Sequence, residues 1–146
     1  KVMRVRECMP AVIKVETPEQ AAEYWRTNIP KADWYDPDKE AFVTLLLNTR
    51  RRVLGHNLVS VGTLDSSLVS PLTVFRPAIV AATSGLILMH NHPSGDPQPS
   101  EADIRITRDL VRAGQLLRIE VLDHVVIGDR SASPSFVSLR EQGYLS

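Results

Sequence analysis

The chain has almost no cysteine. Among its 146 residues Cys8 stands alone, which excludes an intramolecular disulfide framework and any zinc site built on paired thiolates, the pattern of cytidine deaminases included. Nothing in the sequence marks that thiol as activated, so it reads as passive. Net charge is missing too. Lys and Arg number 17, as do Asp and Glu, so no overall positive field draws the chain to nucleic acid, and a DNA partner is unsupported by charge. Neither a secretory leader nor an apolar run long enough to span a bilayer is visible; with the lone cysteine, the expectation is a cytoplasmic protein with no membrane partner. Internal repeats and low-complexity stretches are absent as well. What is present is an apolar content of 43%, ordinary for a globular protein, in a length that fits one domain with a real core.

The stretch that stands out is HNHPSGDPQPSEAD, residues 90–103. It places His90-x-His92, then seven residues, then Ser100-x-x-Asp103. Ser84 to His90 reads as a buried strand, and extended backbone continued to His92 points both imidazoles to one side. Pro93, Gly95, Pro97 and Pro99 forbid regular structure and make a stiff turn. Ser100 to Asp103 reads as a helix start, with Ile104, Thr107 and Val111 at helical spacing and Gly114 offering a stop. Asp103 then lies in the first turn, where the helix dipole favours a carboxylate.

Two imidazoles and a carboxylate are the three ligands a catalytic zinc uses when its fourth position is left to water. Such an ion lowers the pKa of bound water to about 7. The residues alone also admit plainer readings: two polar loop histidines, and a Ser-x-x-Asp that does no more than cap a helix.

Elsewhere the pattern sets out a scaffold. Residues 1–16 suggest a lead-in with one short strand. Thr17-Pro18-Glu19-Gln20 opens a helix to about Asn28, with Tyr24 and Trp25 near its packing side. Residues 29–39 read as an exposed loop whose Trp34 and Tyr35 are a satellite packing cluster or a partner-binding edge, packing being the favoured reading. Ala41 to Leu47 is nearly all apolar, a strand buried on both faces. Glu40, just before it, reads on its own as a solvated strand-edge acid. Arg50, Arg51 and Arg52 mark a solvated turn into a strand over 53–61, with His56 at the surface. Gly62 to Val69 is a crossing; Ser70-Pro71 opens a helix that Pro77 should kink. Ile119 to Ile127 is a strand in which alternation groups His124 with Leu122 and Val126, opposite Val121, Asp123 and Val125. Ser138-Leu139-Arg140-Glu141 suggests a short closing helix.

The fourteen-residue motif resembles the JAMM (MPN+) metalloprotease signature, and HNHPSGDPxPS is the wording of its RadC-like branch. The resemblance extends through EAFVTLLLNTRRRV, GTLDSSLV and LDHVVIG, about residues 40–128. It implies an α/β fold, the JAB/MPN-type (cytidine-deaminase-like) sandwich, with a central mixed β-sheet flanked by helices. It implies one Zn2+ per chain held by His90, His92 and Asp103. Ser100 would donate to the oxyanion of a tetrahedral intermediate, and Glu40 would be the general base. Asp123 and His124 match a pair in the family and are candidates to steady the ligands from behind. Close RadC-like sequences carry His-Pro-Arg-Glu where this chain has Ser70-Pro71-Leu72-Thr73, a departure that touches no ligand but leaves the substrate open. Nothing resembles the N-terminal helix-hairpin-helix region of longer RadC-like proteins, so the expectation is a single catalytic-type domain over residues 1–146.

The reading that follows is a zinc metallohydrolase cleaving a peptide or isopeptide bond, its substrate a peptide or protein such as one with a ubiquitin-like tail. The alternatives are a DNA-repair-associated accessory or nucleic-acid-acting protein, and a silent binding module. The letters His-Asn-His carry no nuclease argument, because HNH nucleases disperse those residues over a ββα-metal unit. Substrate and oligomeric state are left open by the sequence.

Overall fold

A computed structural model of the chain describes the strand Val2–Met3, residues 13–62 and residues 68–145. Cys8 and most of the Gly62–Val69 crossing lie outside the described residues. The elements are β1 (Val2–Met3), α1 (Pro18–Asn28), β2 (Ala41–Leu47), β3 (Val53–Val61), α2 (Pro71–Val80), β4 (Gly85–Asn91), α3 (Glu101–Leu117), β5 (Glu120–Ile127) and β6 (Phe136–Ser138). The six strands form one sheet in the order β1-β3-β2-β4-β5-β6. β4 and β5 are parallel and every other neighbouring pair is antiparallel, so the sheet is mixed.

Helices cover both faces, which is why the two central strands are buried along their whole length. On one face α1 packs Ala21, Tyr24 and Trp25 against Val43, Leu45, Ile87, Met89, Val125 and Ile127. Trp34 and Tyr35 join this layer as partly buried neighbours, the satellite packing expected of them. On the other face α2 and α3 pack Val74, Phe75, Ile106 and Leu110 against Phe42, Leu46, Leu86, Leu88 and Val121. The period of two thus sorts the residues of β2 and β4 into two cores.

Local chemistry sets the helix starts. Thr17 Oγ1 accepts from the Gln20 N–H at 3.1 Å, and Ser70 and Ser100 each form a reciprocal capping box with the residue three on. α2 continues through Pro77 to Val80. α3 passes Gly114 and ends at Leu117, capped by left-handed Arg118. Gly114 therefore does not stop the helix; a Cβ there would stand 2.4 Å from the Ile119 carbonyl oxygen, so glycine permits a close approach. The buried stripe of α3 is Asp103, Ile106, Thr107, Leu110 and Gly114, offset from the Ile104, Thr107, Val111 spacing.

Three further expectations are corrected. His56 is buried, and its Nδ1 lies 2.7 Å from the Tyr24 hydroxyl. The closing helix is absent: Ser138 ends β6 and its hydroxyl donates to Asp123 Oδ2 at 2.6 Å, with turns following. The alternation assigned to β5 fails at a bulge, where Leu86 pairs with Val121 but Ile87 pairs with Asp123. Leu122 therefore joins the α1 core and Val121 the α3 core, the reverse of simple counting.

Candidate metal centre

Both ends of the motif meet where β4 leaves the sheet. Phe42 pairs with His90 across the antiparallel β2–β4 ladder, and the same register two residues further sets Glu40 beside His92. The ladder with parallel β5 reaches Ile127, whose carbonyl accepts from the His92 N–H at 2.9 Å. α3 begins directly after the proline-rich turn, so its first turn carries Asp103 back to the two imidazoles. The site thus lies beyond the carboxyl ends of two parallel strands, the place where open α/β sheets gather ligand-binding groups.

The polar atoms converge closely. His90 Nε2 and His92 Nε2 are 3.0 Å apart. Asp103 Oδ1 lies 3.3 Å from the first and Oδ2 3.3 Å from the second. Candidate ligand atoms of Glu40, His90 and His92 all lie within 4.8 Å of one another, so this His-His-Glu group could hold a metal ion. His90 and Asp103 are buried, whereas Glu40 and His92 are half-buried and form the open side. Phe42 closes the inner side, stacked on His90 with ring centroids 5.8 Å apart and standing edge-on to His124.

Hydrogen-bond direction decides what those atoms offer. Thr107 Oγ1 lies 2.6 Å from the Asp103 carbonyl oxygen, which can only accept, so the hydroxyl proton goes there. The hydroxyl must then accept from His124 Nδ1–H, its other close partner. Burial first, and the neighbouring His90 second, hold His124 well below the ordinary histidine range. Its Nε2 is therefore bare and accepts from His90 Nδ1–H at 2.8 Å, so a His90 ring that carries one proton has a bare Nε2. On the other arm His92 Nδ1–H donates to the Asp96 carbonyl at 2.9 Å, which again points a lone pair from Nε2 into the cluster.

Two bare nitrogens and a carboxylate facing one another need a cation among them. A proton can serve: the hydrogen bond to Asp103 holds the His92 pKa above its ordinary value, against the pull of burial. Burial pushes the Asp103 carboxyl upward, but its close contacts with His90 and His92 overcome it and hold it below the usual carboxylate range. A metal ion serves as well. Ligand atoms about 2.0–2.1 Å from a tetrahedral zinc stand roughly 3.3 Å from each other, and the spacings here are 3.0 and 3.3 Å. The spacings of these donors match those around such an ion.

The RadC-like JAB domain matches residues 15–144 of this chain. The chain belongs to the RadC-like JAB domain family. Among relatives it is similar to a UPF0758 protein of Moorella thermoacetica, 53% identical over 108 residues, which are 74% of this chain and 45% of that protein. A UPF0758 protein of Desulforamulus reducens is 47% identical over 113 residues, 77% of this chain and 48% of its own length. One of Bacillus licheniformis is 44% identical over 131 residues, 90% of this chain and 54% of its own. The chain thus spans about half the length of these relatives.

Within this RadC-like JAB domain the site residues expected from sequence fall as follows. Glu40, His90, His92 and Asp103 come together. Ser100 is adjacent, its Oγ accepting from the Asp103 N–H at 3.1 Å while its own N–H donates to Asp103 Oδ2 at 2.8 Å. His124 reaches His90 directly. Asp123 does not: its carboxylate turns to the α1 side and accepts from Ser138 Oγ, from the Arg140 N–H and from the His124 backbone N–H. Burial raises its pKa, with those bonds opposing. Thr107 and Asn91 escaped the sequence reading, Thr107 because it passed for part of an apolar stripe. Its polar partner on β5 was the missing signal, and the bulge hid it.

Proposed function

We propose that this chain is a zinc-dependent JAMM-type metallohydrolase that cleaves a peptide or isopeptide bond, with His90, His92 and Asp103 as metal ligands. The observation carrying this reading is the convergence of two tautomerically fixed, bare imidazole nitrogens and a carboxylate, with Glu40 on the open side. Zinc bound there would polarise a carbonyl oxygen and make water a nucleophile at neutral pH. Glu40, within reach of that position and half-open to solvent, takes the proton from the water at its carboxylate and delivers it to the leaving amine. Ser100 Oγ already accepts from the Asp103 N–H, so its own O–H donates to the negative oxygen that develops on the substrate carbonyl. Thr107 and His124 hold the proton on His90 Nδ1, keeping Nε2 available, and Phe42 excludes water from behind the imidazoles. The substrate is a peptide or protein segment presented at the side where Glu40 and His92 are exposed.

Zinc content by elemental analysis, on wild type and Asp103→Ala prepared side by side, tests the ligand set. About one zinc per chain, lost in the variant, is expected. A wild type that holds no zinc after reconstitution overturns the reading. Screening peptide and isopeptide substrates with wild type and Glu40→Gln then tests the reaction, the variant keeping zinc and losing turnover.

A further inference from the structure

Between the two motif histidines stands Asn91, whose side chain points the opposite way, as the alternation of β4 requires. It is buried, and each of its two polar atoms has a backbone partner. Nδ2 donates to the Lys39 carbonyl at 3.0 Å and Oδ1 accepts from the Ala41 N–H at 2.8 Å. The partners fix the amide orientation, since a carbonyl only accepts and an N–H only donates. These two groups belong to the peptide units on either side of one α-carbon, that of Glu40. A third bond, Gly62 N–H to the Glu40 carbonyl at 2.7 Å, holds the same residue from the β3 side.

We propose that Asn91 is a positioning residue for Glu40, its amide bridging the peptide units on both sides of Glu40 and fixing the direction of that carboxylate relative to His90 and His92. This rests on the metallohydrolase reading above. Glu40 precedes β2 rather than lying within it, so the sheet ladder alone does not lock its backbone. The asparagine amide supplies what a further strand residue would have supplied, one donor and one acceptor at peptide spacing. Because Asn91 is covalently between His90 and His92, the proton-handling group and the two imidazoles are referred to the same three consecutive residues at the end of β4. A displacement of the strand end moves all of them together and preserves their relative placement.

The test needs no substrate. Zn2+ affinity is measured by chelator competition for wild type, Glu40→Gln, Asn91→Leu and the double variant, alongside backbone 15N order parameters of residues 39–41 without metal. Removing the Glu40 charge is expected to weaken Zn2+ binding by about fivefold or more in the wild-type background, the scale for a unit charge a few ångströms from an ion. In the Asn91→Leu background the same change is expected to cost less than about twofold, because an unclamped carboxylate no longer dwells there. Order parameters near about 0.85 should fall below about 0.6 at residues 39–41 in Asn91→Leu. Asn91→Asp, which keeps the acceptor for Ala41 but sets a charged carboxylate oxygen against the Lys39 carbonyl in place of the donor, provides a second variant should the leucine destabilise the fold, and is expected to lower the order parameters of residues 39–41 as the leucine does. Equal costs of Glu40→Gln in both backgrounds, or unchanged order at residues 39–41, overturn the proposal. If wild type binds no Zn2+, the metallohydrolase reading fails and the order parameters alone decide whether Asn91 clamps Glu40.

Discussion

Replacing Thr107 by valine removes one oxygen from a fully buried position and keeps the shape. The hydroxyl does two things: it donates to the Asp103 carbonyl and accepts from His124 Nδ1–H. Without it the buried Nδ1–H has no acceptor, a cost of about 1–3 kcal/mol in unfolding free energy. His124 can escape part of that cost by moving its proton to Nε2. That atom then confronts His90 Nδ1–H at a spacing of 2.8 Å, two donors face to face, and His90 is driven to carry its proton on Nε2. The proton now occupies the position a metal would take, so Zn2+ affinity should fall by about 10–100-fold, the usual effect of losing a group that orients a ligand histidine. Thr107→Ser, which restores the hydroxyl, should recover most of the affinity. Urea unfolding reads the first effect, chelator competition the second, and 15N shifts of the His90 ring the tautomer. A valine variant that is destabilised as expected but binds Zn2+ within about twofold of wild type would show that the Thr107–His124 arm does not set the His90 tautomer.

Gly128 packs against the turn that orients His92. A Cβ there would lie 2.4 Å from the Gly95 carbonyl oxygen and 2.8 Å from Pro97 Cδ. Gly128→Ala should therefore displace the turn bearing the Asp96 carbonyl, lowering stability by about 1–3 kcal/mol and weakening Zn2+ binding; full affinity in the variant would separate the turn from the metal site. His56 supplies a pH test away from that site. Burial holds its pKa below the ordinary 6.5, so the unfolded chain takes up a proton that the folded chain resists. The contribution is intact above 6.5 and is lost as pH falls from there towards the folded pKa, with a slope of at most about 1.4 kcal/mol per pH unit. His56→Gln cannot titrate, so the difference in unfolding free energy between wild type and variant should change between about pH 7 and 5; a constant difference would refute it.

Much of the scaffold is readable from residue pattern because the limits of its strands and helices are set by local chemistry. Ala41–Leu47 and Val53–Val61 are continuous runs with turn chemistry at their ends, and their limits in the structure match. Thr17, Ser70 and Ser100 mark helix starts because a capping oxygen is a local property. The candidate ligands brought together by the motif were equally visible, since a strand end, a stiff turn and a helix start lie within fourteen residues of sequence. What stayed hidden depends on partners distant in sequence. His56 looked superficial because Tyr24, on another element, supplies its bond. Asn91 looked like a spacer because its partners are 50 and 52 residues away. Ser138 looked like a cap because Asp123, which claims its hydroxyl, is known only once β5 and β6 are paired.

The bulge in β5 makes that strand a counter with a skipped tick. Up to Leu122 the odd-numbered residues meet α3; from Asp123 onward the even-numbered ones do, and His124 owes its place behind His90 to the one supernumerary residue. Deleting a single residue at this point would not shorten the strand harmlessly. It would restore plain arithmetic, and either the downstream half keeps its imidazole while Val121 and Glu120 exchange faces, or the upstream half stays put and His124 rotates into the layer beneath α1. In either case one of the two cores receives the side chains meant for the other. A length change of one residue here is therefore a change of address for half a strand.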